Sequence, residues 1–354
     1  MARRSRRALS RSPGRAVSNA AARPSLTRGA RRSTSDPIAS PPLHAVPAKE
    51  LLPRTASHGF FPEGSPLDRF DKRFSRAILF WDAHWLLDYL LLLPGTWFGL
   101  PAACWGLLPL VWFWVDEHGP GDQSHRSLTY FALLVAVPAL AYAAMFARAV
   151  LAGDLHGIYS PRGQLPLPAV VWALAPVIST RAGYGPAALF AVSWTLGQFL
   201  CHMLKFTGGR LRPIAHFDLS SVRREFKELR YLFATGQTAL ESFPSADATG
   251  AGSFTASLWF YGFPWYVCGV PGLASTFARV YFHAHHVGDV SIGFTIGFLG
   301  HAALFYAFGD RSLGAPHVFA AAAAFIASHV ASKRFKPKLP DHLVSSDEGR
   351  YKDF

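Results

Sequence analysis

A short stretch between two apolar segments, residues 278–289 (A-R-V-Y-F-H-A-H-H-V-G-D), combines an arginine, three histidines and an aspartate. Ionisable side chains at the edge of membrane-spanning segments are costly, and they indicate a functional site by default. If the stretch is helical, His285 and Asp289 lie on one helix face, where the carboxylate can hold the imidazole in one tautomer. The spacing then predicts a nucleophilic histidine with its orienting carboxylate, and Arg279 as a cation for the group under attack. Taken alone, the stretch is equally consistent with a satisfied cluster that anchors a helix end.

A second block, K-F-T-G-G-R-L-R-P at residues 205–213, carries three cations around two glycines. Guanidinium groups match the planar geometry of phosphate oxygens, an ammonium adds a point charge, and glycines let backbone amides approach the anion. Lys205, Arg210 and Arg212 are therefore candidate phosphate ligands. The alternative for this block alone is that its basic residues anchor the end of a membrane span.

A third block, S-F-P-S-A-D-A-T-G-A-G at residues 242–252, opens another apolar segment. The amino terminus of a helix offers free N–H groups and a partial positive charge to an anion, and the Ser245 hydroxyl adds a donor. Ordinary capping is the alternative, with Ser245 as the N-cap and Asp247 in the first turn.

Together the three blocks resemble the type-2 phosphatidic acid phosphatase family, the lipid phosphate phosphatases. The motifs that carry the resemblance are K-x6-R-P from Lys205, P-S at Pro244-Ser245, and R-x5-H-x3-D from Arg279. The resemblance extends over residues 86–308 and implies a six-helix core in which the blocks meet on one face. It also implies an integral membrane phosphatase that hydrolyses a lipid phosphate monoester or pyrophosphate without a metal ion or other cofactor.

The resemblance implies specific roles for individual residues. His285 would attack phosphorus to form a phosphohistidine, and Asp289 would support it. The residues that would bind the phosphoryl oxygens are Lys205, Arg212, Ser245 and Arg279. Arg210 is added as a candidate phosphate ligand because it lies in the same basic block as Lys205 and Arg212.

Two positions depart from the family pattern. The family commonly has serine where this chain has Ala278, and its P-S-G-H has become P-S-A-D, ending at Asp247. The missing histidine is the family's proton donor to the leaving group, so we predict Asp247 as the catalytic acid in its place. The alternative is an impaired pseudophosphatase that binds phospholipid. A transporter lined by basic residues is a third hypothesis, weakened because no inverted repeat is evident.

The elements that position these blocks are predicted to be helices. With 50% hydrophobic and only 16% charged residues among 354, the composition is typical of an all-α, polytopic membrane helix bundle. Apolar segments predict spans at 86–115, 128–147, 186–204, 246–263, 264–282 and 287–308. The proline-interrupted segment 165–180 is interpreted as a tilted span, a re-entrant piece or a surface segment. Residues 309–354 hold an Ala-rich run at 312–332, a candidate extra span, and a basic tail.

Two further segments are predicted to lie on the membrane surface. Residues 67–85 mix charged and aromatic side chains, as an amphipathic helix at the headgroup level does. Residues 214–241 alternate charges with apolar residues at helical spacing, and we expect a helix there that lies flat over the site.

Residues 1–66 are rich in Arg, Ser, Pro and Ala and are predicted to be a disordered basic tail. This composition is also that of an organellar transit peptide, and the plainer alternative is a cytosolic tail on anionic lipid. Because the tail holds much of the net charge of +13, we expect a bilayer rather than nucleic acid as the partner. The endomembrane, plasma membrane and organellar membranes all remain open, as does the oligomeric state. The isolated Cys104, Cys201 and Cys268 are interpreted as small buried hydrophobic residues.

Overall fold

The computed structural model describes residues 61–112 apart from 63 and 82, scattered positions between 136 and 151, and residues 166–178, 185–213 apart from 209, 241–309 and 313–335. The elements within these ranges are helices, and none of the residues described there forms a strand, which confirms the all-α prediction. Residues 1–60 of the tail predicted at 1–66, most of the span predicted at 128–147, and residues 214–240 of the helix predicted at 214–241 lie outside the described residues.

Most of the described residues lie in helices. In order they are α1 (Pro66–Leu79), α2 (Trp85–Thr96), the π-helical α3 (Ala102–Leu107), α4 (Pro166–Ile178), α5 (Gly185–Gly208), α6 (Ala246–Phe260), α7 (Trp265–Tyr281), α8 (Val287–Phe308) and α9 (Ala315–Phe335). The bounds of α5 and α8 agree closely with the apolar segments predicted from the sequence.

Helix α6 forms the centre of the fold and packs against α5, α7 and α8. Its sequence is rich in Ala, Gly, Ser and Thr, and most of its side chains are buried. Small residues allow helix backbones to approach closely. At Gly297 on α8, an added Cβ would lie only 1.8 Å from the Thr249 carbonyl oxygen on α6, so only glycine fits this crossing. The close crossing brings the amino termini of α6 and α8 together.

The first predicted span, 86–115, is not one continuous helix. Helix α2 ends at Thr96, a turn covers residues 97–100, and α3 follows. Proline lacks the N–H needed to continue a helix, and both Pro94 and Pro101 border this break. The break frees backbone groups: the Gly95 carbonyl accepts a hydrogen bond from Arg279, and the Gly99 N–H donates one to Asp247. The interruption therefore supplies contacts to candidate site residues.

Within the described ranges, two helices are long and apolar enough to cross a membrane, at Gly185–Lys205 and Val287–Phe308. Helices α6 and α7, with 15 and 17 residues, are shorter than the roughly 20 residues that a perpendicular crossing needs. The segments Ala103–Trp112 and Ala315–Ala331 are shorter apolar helices. The six-helix membrane core therefore stays a prediction.

Helix α1 is amphipathic, as predicted for residues 67–85, and its polar face is the one that contacts the protein. Asp68, Asp71 and Ser75 are buried on that face. Phe70 and Phe74 are 68% and 57% exposed on the other side. This arrangement leaves the aromatic side chains free to contact a bilayer surface, which is where the sequence predicts the helix to lie.

Candidate active site

The structure brings the three sequence blocks to one end of the helix bundle. The Nε2 atom of His285 lies 3.3 Å from a guanidinium nitrogen of Arg212 and 3.3 Å from one of Arg279. The Ser245 N–H donates to the Asp289 carbonyl oxygen at 3.1 Å, which joins the start of α6 to the start of α8. Residues from all three blocks therefore converge, as the resemblance implies.

His285 lies in a turn between α7 and α8, and not on a helix. Helix α7 ends at Tyr281, His283 adopts a positive φ of 61°, and α8 begins at Val287 with His286 as its N-cap. The prediction that His285 and Asp289 share one helix face is wrong. The reason is local, since the Asp289 carboxylate accepts the His286 N–H at 2.9 Å and so starts a new helix there.

The imidazole of His285 is oriented by a backbone carbonyl rather than by Asp289. Its Nδ1 lies 2.6 Å from the Ser242 carbonyl oxygen. A carbonyl oxygen can only accept, so Nδ1 carries the proton and Nε2 keeps its lone pair. That lone pair points between the guanidinium groups of Arg212 and Arg279, and the ring is almost fully buried. The geometry is that of a nucleophile held ready for an anionic electrophile.

Burial holds the pKa of His285 well below its usual range, because the charged form is poorly solvated there. The charges of Arg212, Arg279 and Lys205 lower this pKa further. The lowered pKa keeps the imidazole neutral, and therefore nucleophilic, in mildly acidic medium.

We expect the His285 ring to remain the neutral Nδ1–H tautomer at pH 6, in the absence of phosphate. An ordinary imidazole, with a pKa of about 6.5, is mostly protonated at that pH. The measurement is a 15N NMR titration of histidine-labelled protein in detergent, with His285→Ala to assign the signal. A midpoint near 6.5 for that signal would contradict the structural explanation.

Asp289 supports the histidine indirectly, through Ser242. One carboxylate oxygen accepts the Ser242 hydroxyl at 2.5 Å and the His286 N–H at 2.9 Å. The other lies 2.6 Å from Arg210. Ser242 thus contacts Asp289 with its hydroxyl and His285 with its carbonyl. Ser242 was not predicted from the sequence as a site residue. Its position at the start of the third block is the one sequence feature that could have indicated it.

Lys205, Arg212 and Arg279 form a cationic cluster around His285, and all three are largely buried. Arg212 donates to the Ala284 carbonyl at 3.0 Å, and Arg279 donates to the Gly95 carbonyl at 2.8 Å. Burial, with the charge of Arg279, lowers the pKa of Arg212 to about 10, so it remains charged at neutral pH. Lys205 lies 3.9 Å from Glu241. Buried cations gathered around a neutral histidine form a site suited to a phosphate dianion.

Ser245 caps α6, as the capping alternative for its block expects. Its hydroxyl oxygen accepts the Ala248 N–H at 3.4 Å, and the side chain is fully buried. The amino terminus of α6 therefore adds its partial positive charge to the same end of the bundle as the cationic cluster.

Arg210 is placed differently from the cationic cluster. Its guanidinium group lies 2.6 Å from Asp289, 2.7 Å from Asp71 and 3.2 Å from Asp68, and it stacks over the Phe61 ring. The structure thus places the Arg210 guanidinium group between the carboxylates of α1 and the carboxylate of Asp289.

Asp247, in the first turn of α6, contacts the cationic cluster. One carboxylate oxygen accepts the Gly99 N–H at 2.9 Å, and the other lies 3.2 Å from Arg279. Arg279 also contacts His285, so Arg279 links Asp247 to His285. That is a suitable place for a group that exchanges a proton with the leaving group, and equally for one that competes with the phosphate for Arg279.

Comparison with known proteins agrees with this geometry. Residues 186–313 match the sequence model of the PAP2 superfamily, and the match includes all three blocks. No curated protein and no solved structure shows significant similarity to the chain. Members of the PAP2 superfamily are phosphatases, which supports a hydrolase. The segment that carries the three blocks, residues 186–313, is therefore similar to the PAP2 superfamily, which is consistent with the resemblance to the type-2 phosphatidic acid phosphatases.

Proposed function

We propose that this protein is an integral membrane phosphatase that removes phosphate from a lipid phosphate monoester or pyrophosphate. The observation that carries the proposal is the Nε2 lone pair of His285, which faces two buried guanidinium groups at 3.3 Å each. An anion bound between those groups presents its phosphorus to the nitrogen. The hydrolysis is proposed to need no metal ion, because the cationic cluster supplies the positive charge that stabilises the transition state.

The reaction proceeds in two displacements. Nε2 of His285 attacks phosphorus, an N–P bond forms, and the P–O bond to the leaving group breaks; its electron pair goes to the leaving oxygen, which takes a proton from the Asp247 carboxyl group. A water molecule then attacks the phosphohistidine and gives a proton to the Asp247 carboxylate, the N–P bond breaks with its electron pair returning to Nε2, and inorganic phosphate leaves. In both steps the Nδ1–H bond to the Ser242 carbonyl holds the ring, and Arg212 and Arg279 hold the phosphoryl oxygens. Catalysis rests on positioning and electrostatic stabilisation.

The surface of the helices supports a membrane location for this chemistry. Helix α8 is long enough to cross a bilayer, and only 22% of its most apolar stretch is buried by the rest of the protein. Large apolar side chains are exposed on three successive helices, including Leu273 on α7, Leu299 on α8 and Val330 on α9. An apolar surface of this kind is stable in contact with lipid. A lipid substrate can then reach the site from the bilayer.

One contact favours a second candidate function. The Asp247 carboxylate lies 3.2 Å from Arg279, where a phosphoryl oxygen would otherwise bind. A protein in which Asp247 competes with the phosphate for Arg279 would bind phospholipid headgroups weakly and hydrolyse them slowly. This is the pseudophosphatase alternative.

Phosphate release by detergent-purified protein separates the two functions. We expect inorganic phosphate from phosphatidate, lysophosphatidate, a sphingoid phosphate or a polyprenyl pyrophosphate, with equal rates in the presence and absence of a chelator. Vanadate, which resembles pentacoordinate phosphorus, should inhibit. Binding of these lipids without phosphate release would support the pseudophosphatase. A rate abolished by the chelator would exclude the metal-free mechanism.

A further inference from the structure

Helix α1 lies outside the segment that matches the PAP2 superfamily, yet its buried face contacts that segment next to the site. Asp68, Asp71 and Ser75 line this face, and each is at most 5% exposed. Carboxylates are rarely buried to that extent unless they are paired. Their partners are therefore informative about what α1 does.

The first partner is Arg210, which bridges α1 and Asp289. Its Nη2 atom lies 2.7 Å from Asp71 and 3.2 Å from Asp68, while Nη1 lies 2.6 Å from Asp289. Lys72 also pairs with Asp68 at 2.9 Å. The planar guanidinium group thus holds Asp71 and Asp289 at a fixed separation.

The second partner is the amino terminus of α8. The Gly288 N–H donates to Asp71 at 2.7 Å, and the Val287 N–H donates to Ser75 at 2.9 Å. The first N–H groups of a helix have no acceptor within the helix, so α1 supplies the caps that α8 needs. The next residue of α8 is Asp289. One Asp71 side chain therefore restrains Asp289 through its backbone and through its carboxylate.

Burying the charged Asp71 carboxylate costs free energy of folding. Burial raises the pKa of Asp71, and Arg210 with the Gly288 N–H opposes that rise. A hydrophobic residue would anchor α1 without this cost. The carboxylate therefore does something that simple anchoring does not require.

We propose that Asp71 of α1 is a positioning residue of the active site, which acts through Arg210 and the start of α8 on Asp289, Ser242 and His285. The proposal rests on the proposed phosphatase function for its kinetic readout. It extends the site to an element that the family match does not include. It also accounts for Arg210, whose guanidinium group is directed to carboxylates.

The experiment compares four variants: Asp71→Asn, Asp71→Glu, Arg210→Gln and the double variant Asp71→Asn with Arg210→Gln. Arg69→Gln is the matched control, because Arg69 lies on the same helix with its side chain exposed. The assays are kcat and KM for phosphate release, and hydrogen exchange of the peptide that covers residues 285–290. Thermal unfolding in detergent reports the folded fraction.

We expect Asp71→Asn to lower kcat by about 10- to 100-fold, by analogy with residues that orient the ligands of a catalytic metal ion. KM should stay within about 2-fold, since the cationic cluster is intact. Asp71→Glu should recover part of kcat, Arg69→Gln should leave it unchanged, and residues 285–290 should exchange faster in Asp71→Asn. The double variant should be no slower than the slower single variant, because both act on one path.

An unchanged kcat in folded Asp71→Asn protein would overturn the proposal. So would a loss that follows the folded fraction alone, or additive effects in the double variant. If the wild-type protein releases no phosphate, the phosphatase function fails and hydrogen exchange decides the positioning role. Unchanged exchange of residues 285–290 in Asp71→Asn would then overturn it, and faster exchange confined to that peptide would support it.

Discussion

Replacement of His285 by alanine is expected to abolish phosphate release. The imidazole is the nucleophile of the first displacement, without which no phosphohistidine forms, and its Nε2 is held between Arg212 and Arg279. Loss of a covalent nucleophile in a hydrolase lowers kcat by on the order of 10⁶-fold. The measurement is inorganic phosphate release in detergent, together with acid-labile phosphate retained on the protein after a brief incubation with substrate.

Two comparisons make the His285→Ala result specific. His84→Ala removes an exposed histidine and should leave the rate unchanged. Arg212→Ala and Arg279→Ala should each lower kcat/KM by about 10²- to 10³-fold, by analogy with removal of one oxyanion-hole donor. Normal phosphate release by folded His285→Ala protein would refute the phosphohistidine mechanism.

Replacement of Asp247 by histidine is expected to accelerate hydrolysis of lipid phosphate monoesters. The substitution removes the carboxylate that pairs with Arg279 at 3.2 Å and introduces the proton donor that the family motif has at this position. Positioned proton transfer contributes about 10²- to 10⁴-fold, and we expect about the lower end of that range. Pyrophosphate-linked lipids should gain less, because their leaving group needs less protonation.

Asp247→Asn separates the two roles of the carboxylate. The amide has the same size, keeps an oxygen for the Gly99 N–H, and can no longer form an ion pair with Arg279. The space beside it is small, since a Cβ at Gly99 would lie 2.6 Å from the Asp247 carboxylate. If Asp247 supplies the proton, Asp247→Asn slows monoester hydrolysis. An unchanged pH–rate profile would show that Asp247 serves only as a cap and as the partner of Arg279.

The sequence by itself predicted the all-α class, the bounds of α5 and α8, and the residues that the structure brings together at the site. Apolar run length and helix capping are local properties, which is why the bounds of α5 and α8 could be predicted closely. Residue type and spacing likewise predicted Lys205, Arg212, Arg279 and His285 as site residues. A phosphate dianion is bound by guanidinium and ammonium groups, and an imidazole can act as the nucleophile. The convergence of these residues at one end of the bundle is what the resemblance implied.

Only the tertiary structure decided how each side chain is held. The start of α8 at His286 placed His285 in a turn, so the orienting group became the Ser242 carbonyl, 43 residues away in the chain. Arg210 was predicted from its basic block as a phosphate ligand, and its contacts with α1 depend on residues 142 positions away. Hydrogen bonds and ion pairs between distant segments follow from helix packing, which local spacing does not encode. The roles of Ser242 and Asp71 emerge only when the segments are assembled.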